Sequence, residues 1–450
     1  MLIECARFMP ASTPSFGIAK VALVMARLIV DGEDRGPRFF IVPVCNEREM
    51  FRGVESIRLG PRPGTAPLDF SITSFDHVLV PHAALVASDL QDHSLPRFPL
   101  KAWWDEVSRI PLGTMVIVAF TIPALKAIAF IAGKYSMHRS LTGKGPEPIR
   151  IITFRTQQWP VLHAVAVSLV LENWYAVTAR RVTDTSLDPR VRHGLAVVVK
   201  TTVARHVQRC VSEVAERCGA QGSFEHNFIA RFEVGHIIFC FSFLLTVPQN
   251  DLKGVVVAEG DVRTLCIRLF SELLLERYQM PLPDTSGSLL AKHALSLFEE
   301  NKALLQELPR GHRDPAFNSL ILPQAEHAVE AMGHAMAYSA ALRGGLPKPI
   351  LDVYECAVMR YDPAWYTEKG GLTRYQQRVR EDDAVTCAVP HLATYLDDLD
   401  IEAYVSAPIV SDAAWKAYFG AMSVFRGNAH PGLGQPEHSV RPFIQVEAKL

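Results

Sequence analysis

Apolar residues change rhythm along the 450-residue chain. Up to about residue 90 they come in short dense or alternating runs between turn residues. Val21–Val30 is followed by the turn Asp31-Gly32-Glu33-Asp34 and then by Phe39-Phe40-Ile41-Val42-Pro43. Gly60-Pro61-Arg62-Pro63-Gly64 reads as a loop, and Phe70–Phe75 alternates before Val78-Leu79-Val80-Pro81. This is the pattern of a small β-domain, and it begins in mid-pattern. Asp89, Asp92, Pro96, Pro99 and Pro111 then mark a boundary. Beyond it the apolar spacing turns helical over 114–137, 148–180, 190–217 and 258–279. Pro281-Leu282-Pro283-Asp284-Thr285-Ser286-Gly287 interrupts the chain, helical spacing resumes over 288–308 and 323–343, and a Gly/Pro-rich tail occupies 426–442. The expected fold is mainly α with a small β-domain. Its parts are a partial β-domain (1–90), a linker (91–112), a helical bundle (113–281) and a second helical domain (282–450).

Composition narrows the function classes. With 49% hydrophobic and 21% charged residues the chain reads as soluble and globular. A net charge of -1 supplies no basic face for nucleic acid. The eight cysteines are scattered without CxxC or a close Cys/His cluster, so neither a disulfide framework nor a metal site is expected. Thr114–Ala132 is about long enough to span a membrane, but Pro123 and Lys126 interrupt it, and a buried bundle helix explains it better. The first residues lack the basic and apolar regions of a signal peptide.

A series of short motifs, in a fixed order, carries more. They are Gly17–Leu28, Phe40-Ile41-Val42-Pro43, Gly60–Gly64, Phe75–Pro81, Gly113-Thr114-Met115, Lys134–Arg139, Phe154-Arg155-Thr156-Gln157-Gln158, Cys218-Gly219-Ala220-Gln221-Gly222 and Ala258-Glu259-Gly260-Asp261. Together they resemble the peroxisomal acyl-CoA oxidases, within the acyl-CoA dehydrogenase superfamily, from residue 17 to about 281. The region 282–450 resembles that family's C-terminal helical domain only loosely.

The resemblance implies a flavoprotein that uses FAD to remove two hydrogens from the α and β carbons of an acyl-CoA. The electrons pass to O₂, giving hydrogen peroxide. It implies Glu259 as the base that takes the α-proton, in a pocket shielded from water. The alternative for Glu259 is a role at a helix start, favouring the dipole or capping free amides. Arg139 matches an arginine near the flavin diphosphate, often across a subunit interface; otherwise it is an exposed helix-end residue. Gln158 matches a glutamine near the flavin. Gly219 and Gly222 match a segment whose backbone approaches the cofactor, or else form an ordinary turn between helices. The implied partners are an acyl-CoA, O₂ and a second copy of the chain. Ala448-Lys449-Leu450 resembles the Ser-Lys-Leu address of peroxisomal import.

Three departures qualify this. The family's N-terminal helical domain and the first part of its β-domain have no counterpart here. Arg155 stands where the family has glutamine, and Ala220 stands for a glycine. The apolar run His236–Leu245 falls between the Cys218 and Glu259 motifs, where the family pattern has none. The competing reading is therefore an inactive remnant that partners a full-length oxidase.

Overall fold

The early alternating runs form strands and the later periodic runs form helices. The computed structural model describes residues 2–10, 12–15, 17–59, 70–86, 107–143, 145–230, 251–281 and 288–427. The Gly60–Gly64 loop, Trp103-Trp104, His236–Leu245 and the C-terminal tripeptide lie outside the described residues.

Strands β2 (Lys20–Val30) and β3 (Glu33–Cys45) form a hairpin around Asp31 and Gly32, both at positive φ. Such a φ suits a two-residue hairpin turn. A second sheet has the order β1-β5-β4, all antiparallel: β1 (Leu2–Pro10), β5 (Phe70–Leu79) and β4 (Val54–Arg58). Phe40, Val42, Val44, Phe75 and Val78 are buried in one small core that draws on both sheets. The buried hydroxyls of Ser71 and Thr73 are satisfied locally, Ser12 Oγ lying 2.6 Å from Thr73 Oγ1.

The helical part begins with α1 (Ile110–Ala119) and α2 (Thr121–His138). A two-stranded ribbon of β6 (Ser140–Leu141) and β7 (Ile149–Arg150) then leads to the long helices α3 (Arg155–Thr183) and α4 (Pro189–Arg217). Asp188 caps α4, accepting from the Arg190 amide, with Pro189 in the first turn, where a missing N–H costs nothing. The short α5 (Asp251–Val257) and then α6 (Val262–Leu274) follow. Next come α7 (Leu289–Glu307), α8 (Ala325–Arg343), α9 (Lys348–Met359), α10 (Pro363–Glu368), α11 (Arg374–Ala388), α12 (Leu392–Asp398) and α13 (Asp412–Gly420). One apolar core runs from Met115 to Ile409, so the break near Pro281 separates stretches of sequence but not cores. Helix α8 lies at its centre, packed on α3, α4, α6 and α7.

Two helical stretches, Ile110–His138 and Arg155–Thr183, are long and apolar enough to cross a membrane. In each, 67% of the apolar window is buried inside the protein, the pattern of core helices. Lys126 is no intrusion there: its Nζ donates to Glu172 at 2.6 Å.

Candidate functional site

The turn that carries Glu259 is built by its neighbours. Glu259 and Gly260 have φ of 55° and 92°, so the chain leaves helical geometry between α5 and α6. Lys200, fully buried on α4, donates its Nζ to the carbonyls of Ala258 and Gly260, one on each side of Glu259. Burial lowers the Lys200 pKa to about 8, opposed by the nearby charges of Glu259 and Asp261. Asp261 caps α6, its Oδ1 accepting from the Thr264 amide at 3.0 Å. The capping role open to Glu259 on sequence therefore belongs to Asp261.

The Glu259 side chain lies over Gly113 at the start of α1. A Cβ at position 113 would stand 2.7 Å from Glu259 Oε2, so a side chain there would push the carboxylate aside. Among the described residues no group hydrogen-bonds or ion-pairs with that carboxylate. Its residue is exposed, which corrects the expectation of a pocket shielded from water. Lys200 escaped the sequence reading, although a charge in the run Val197-Val198-Val199-Lys200 was a usable signal.

A second feature forms beyond the C-terminal end of α2. A cleft of about 720 Å³ is lined by Arg139, Tyr135, Leu141, the turn Cys218-Gly219-Ala220-Gln221 and Trp415. Gly219 sits at φ 57° with open space on its Cβ side. Burial raises the Tyr135 phenol above its ordinary value, and the Arg139 guanidinium beside it pulls the other way.

The other two candidates fall outside this cleft. Gln158 Oε1 accepts from Arg155 Nη1 at 2.9 Å, and Arg155 reaches on to Asp382 (3.0 Å) and Thr386 (2.7 Å) on α11. Arg155, one of the departures from the family pattern, thus holds Gln158 toward the last helices. The buried glutamine is Gln157, which donates to Ser136 Oγ at 2.8 Å and to the Arg217 carbonyl at 3.1 Å. Gly222 has a packing reason: a Cβ there would stand 2.4 Å from the Ala215 carbonyl oxygen. The structure therefore joins Arg139 and Gly219 in one cleft and leaves Gln158, Gly222 and Glu259 apart from it.

No protein-family profile matches the chain. An acyl-coenzyme A oxidase-like protein of Mus musculus is 30% identical over 185 residues, 39% of this chain. That match takes in 28% of the mouse protein, so the chain aligns with under a third of that relative. Arabidopsis thaliana acyl-CoA oxidase 1 superposes with a TM-score of 0.71 at 16% identity, covering 92% of this chain and 70% of that one. The chain has the acyl-CoA oxidase fold. Acyl-CoA oxidase-2 of Caenorhabditis elegans, solved with FAD, ascaroside-CoA and ATP, superposes equally well at 14% identity (TM-score 0.71, covering 92% of this chain and 68% of that one). The resemblance read from the motifs, and the mainly α fold with a small β part, agree with these neighbours.

The Caenorhabditis elegans oxidase was solved with FAD, a dinucleotide with a diphosphate. The lining of the Arg139 cleft suits a diphosphate: it holds an arginine and a backbone turn whose Gly219 leaves room for close approach. Glu259 does not line that cleft.

Proposed function

We propose that the chain is an oxidase-type flavoprotein acting on an acyl-CoA, with Glu259 as its base. What carries the reading is a carboxylate with no partner among the described residues, on a turn gripped from both sides by buried Lys200. It neither caps a helix nor pairs with a cation among the described residues, and its backbone lies in the left-handed region.

In the reaction the C–H bond at the α carbon breaks and Glu259 takes the proton. The thioester carbonyl next to that carbon makes the proton removable by a carboxylate. The chemistry FAD supplies when bound is acceptance of the β-hydride and delivery of two electrons to O₂, so that acyl-CoA and O₂ become trans-2-enoyl-CoA and H₂O₂. Arg139 and the Gly219 turn would hold the diphosphate. Glu259 and these donors would then serve different active sites of a homodimer, which fits their separation within one copy. The peroxide product fits the Ala448-Lys449-Leu450 ending and a peroxisomal place in fatty-acid β-oxidation.

The test is reconstitution of the purified chain with FAD, followed by enoyl-CoA and peroxide assays. Glu259→Gln should lower turnover by about 10²–10⁴-fold, the usual worth of a general base. It should leave FAD binding and the melting temperature unchanged. Full activity in Glu259→Gln, or a chain that takes up no FAD, would overturn the proposal; co-purification of a colourless chain with a full-length oxidase would favour the subunit-partner reading instead.

A further inference from the structure

Three side chains far apart in sequence converge in the second helical region. His293 comes from α7, His327 from α8, and Asp362 is the residue that caps α10. Their ligand atoms all lie within 4.8 Å of one another. Both imidazoles address one carboxylate oxygen: Asp362 Oδ2 is 3.0 Å from His293 Nε2 and 3.2 Å from His327 Nε2. The carboxylate is held in this orientation, because Oδ1 accepts from the Trp365 amide at 3.2 Å. His293 is buried against the rings of Trp365 and Tyr366, at centroid distances of 4.8 and 5.2 Å. His327 and Asp362 keep 34% and 21% of their side chains exposed, so one side of the cluster is open to water.

We propose that His293, His327 and Asp362 bind a divalent transition-metal ion of the zinc type, with a water as fourth ligand. In a tetrahedral shell with bonds of about 2.0–2.1 Å, neighbouring ligand atoms stand roughly 3.3 Å apart. The two N···O separations already approach that length. Only the two nitrogens need draw together, and the partly exposed His327 ring has room to do so. Two imidazoles and one carboxylate favour zinc or a similar ion over calcium or magnesium, which need more oxygen ligands. The apolar shell of Trp365 and the fixed carboxylate supply the outer support such sites have. Asp362 lies 35 residues from His327 and 69 from His293, so scanning for close Cys/His spacing passes over this cluster. A bound ion would cross-link α7 and α8 to the start of α10, apart from the turn of Glu259 and the cleft of Arg139.

The test is titration of the chelator-stripped full chain with Co²⁺ and then Zn²⁺, read by visible absorption and thermal melting. The expected result is a single equivalent of Co²⁺ with the intense spectrum of a four-coordinate site, displaced by Zn²⁺, and a rise in melting temperature with either ion. Asp362→Asn keeps the cap oxygen and removes the charge, and His327→Gln alters a partly exposed group. Each should weaken Co²⁺ binding by about tenfold or more. His327→Gln should leave the metal-free melting temperature where it was, so loss of binding is separable from loss of fold. A six-coordinate Co²⁺ spectrum, or undiminished binding by His327→Gln, would show that the three groups are only a hydrogen-bonded trio.

Discussion

Glu259 is held in a left-handed conformation at φ 55° while its side chain reaches water. A glycine would adopt the same backbone at lower cost, since a non-glycine residue there gives up of the order of 1 kcal/mol or more. Glu259→Gly is therefore expected to melt no lower than the wild type, and to be stabilised by about 1 kcal/mol if the strain is fully released. It should be as inactive as Glu259→Gln, and a lowered melting temperature would show that the side chain has a structural use. Lys200 offers an independent check on the same turn. Its folded pKa of about 8 lies below its ordinary value of 10.5. Between those values the unfolded chain binds more protons at this lysine than the folded chain does. Stability attributable to Lys200 must therefore rise as pH rises from 8 to 10.5, and stay flat below 8. Comparing urea midpoints of wild type and Lys200→Met across that interval isolates the effect. An equal pH response in both would mean that the lysine is not buried as charged.

Among the elements, α8 has the most to lose from small changes, because helices surround it. Its sequence is rich in alanine, with a glycine at 333, which lets the neighbours come close. A Cβ at Gly333 would stand 1.8 Å from Thr202 Oγ1 and 2.9 Å from Thr202 Cβ on α4. Gly333→Ala should cost about 1–3 kcal/mol through overpacking, despite alanine's better helix propensity. Gly333→Ala combined with Thr202→Ala should recover part of that loss. If the single variant melts like wild type, α8 and α4 are not packed this closely. The helices themselves were legible in the sequence. Expected spans of 190–217, 288–308 and 323–343 became Pro189–Arg217, Leu289–Glu307 and Ala325–Arg343. Apolar periodicity is a local property and survives folding. The span 258–279 shrank to Val262–Leu274, because Glu259 and Gly260 take positive φ and Asp261 caps the helix. The span 148–180 became Arg155–Thr183, since Ile151–Thr153 forms a separate short turn and Phe154 is extended. Strand β1 was not foreseen, as it is fixed by pairing with β5 some seventy positions on. At the site, motif matching reached Glu259, Arg139 and Gly113. The contacts of Lys200 and the His293/His327/Asp362 cluster depend on which helices meet, and no local spacing encodes that.

At the scale of the whole molecule, the β-hairpin is the part whose surface chemistry is least settled by the chain itself. On one face Ala22, Leu28, Phe40 and Val42 are buried in the small core. A two-stranded piece packed on one side normally presents polar residues on the other. Here the outward positions include Val21, Leu23, Ile29 and Ile41, with Val21 61% exposed. Leu23 and Ile41 face each other directly across the strands. Contiguous exposed apolar surface of this kind drives association in water. The same chain is the partner always present in a purified sample, and a homodimer would accommodate the roles proposed for Glu259 and the Arg139 cleft. We therefore expect concentration-dependent self-association by light scattering. The double variant Leu23→Lys/Ile41→Lys should shift the population toward monomer, because covering either ammonium group with an apolar surface costs its hydration. The cost in folding stability should be small, on the order of 1 kcal/mol, since both side chains are already largely in water. Unchanged association in the double variant would move the contact to another surface, and loss of folding would show that this face is covered within the chain.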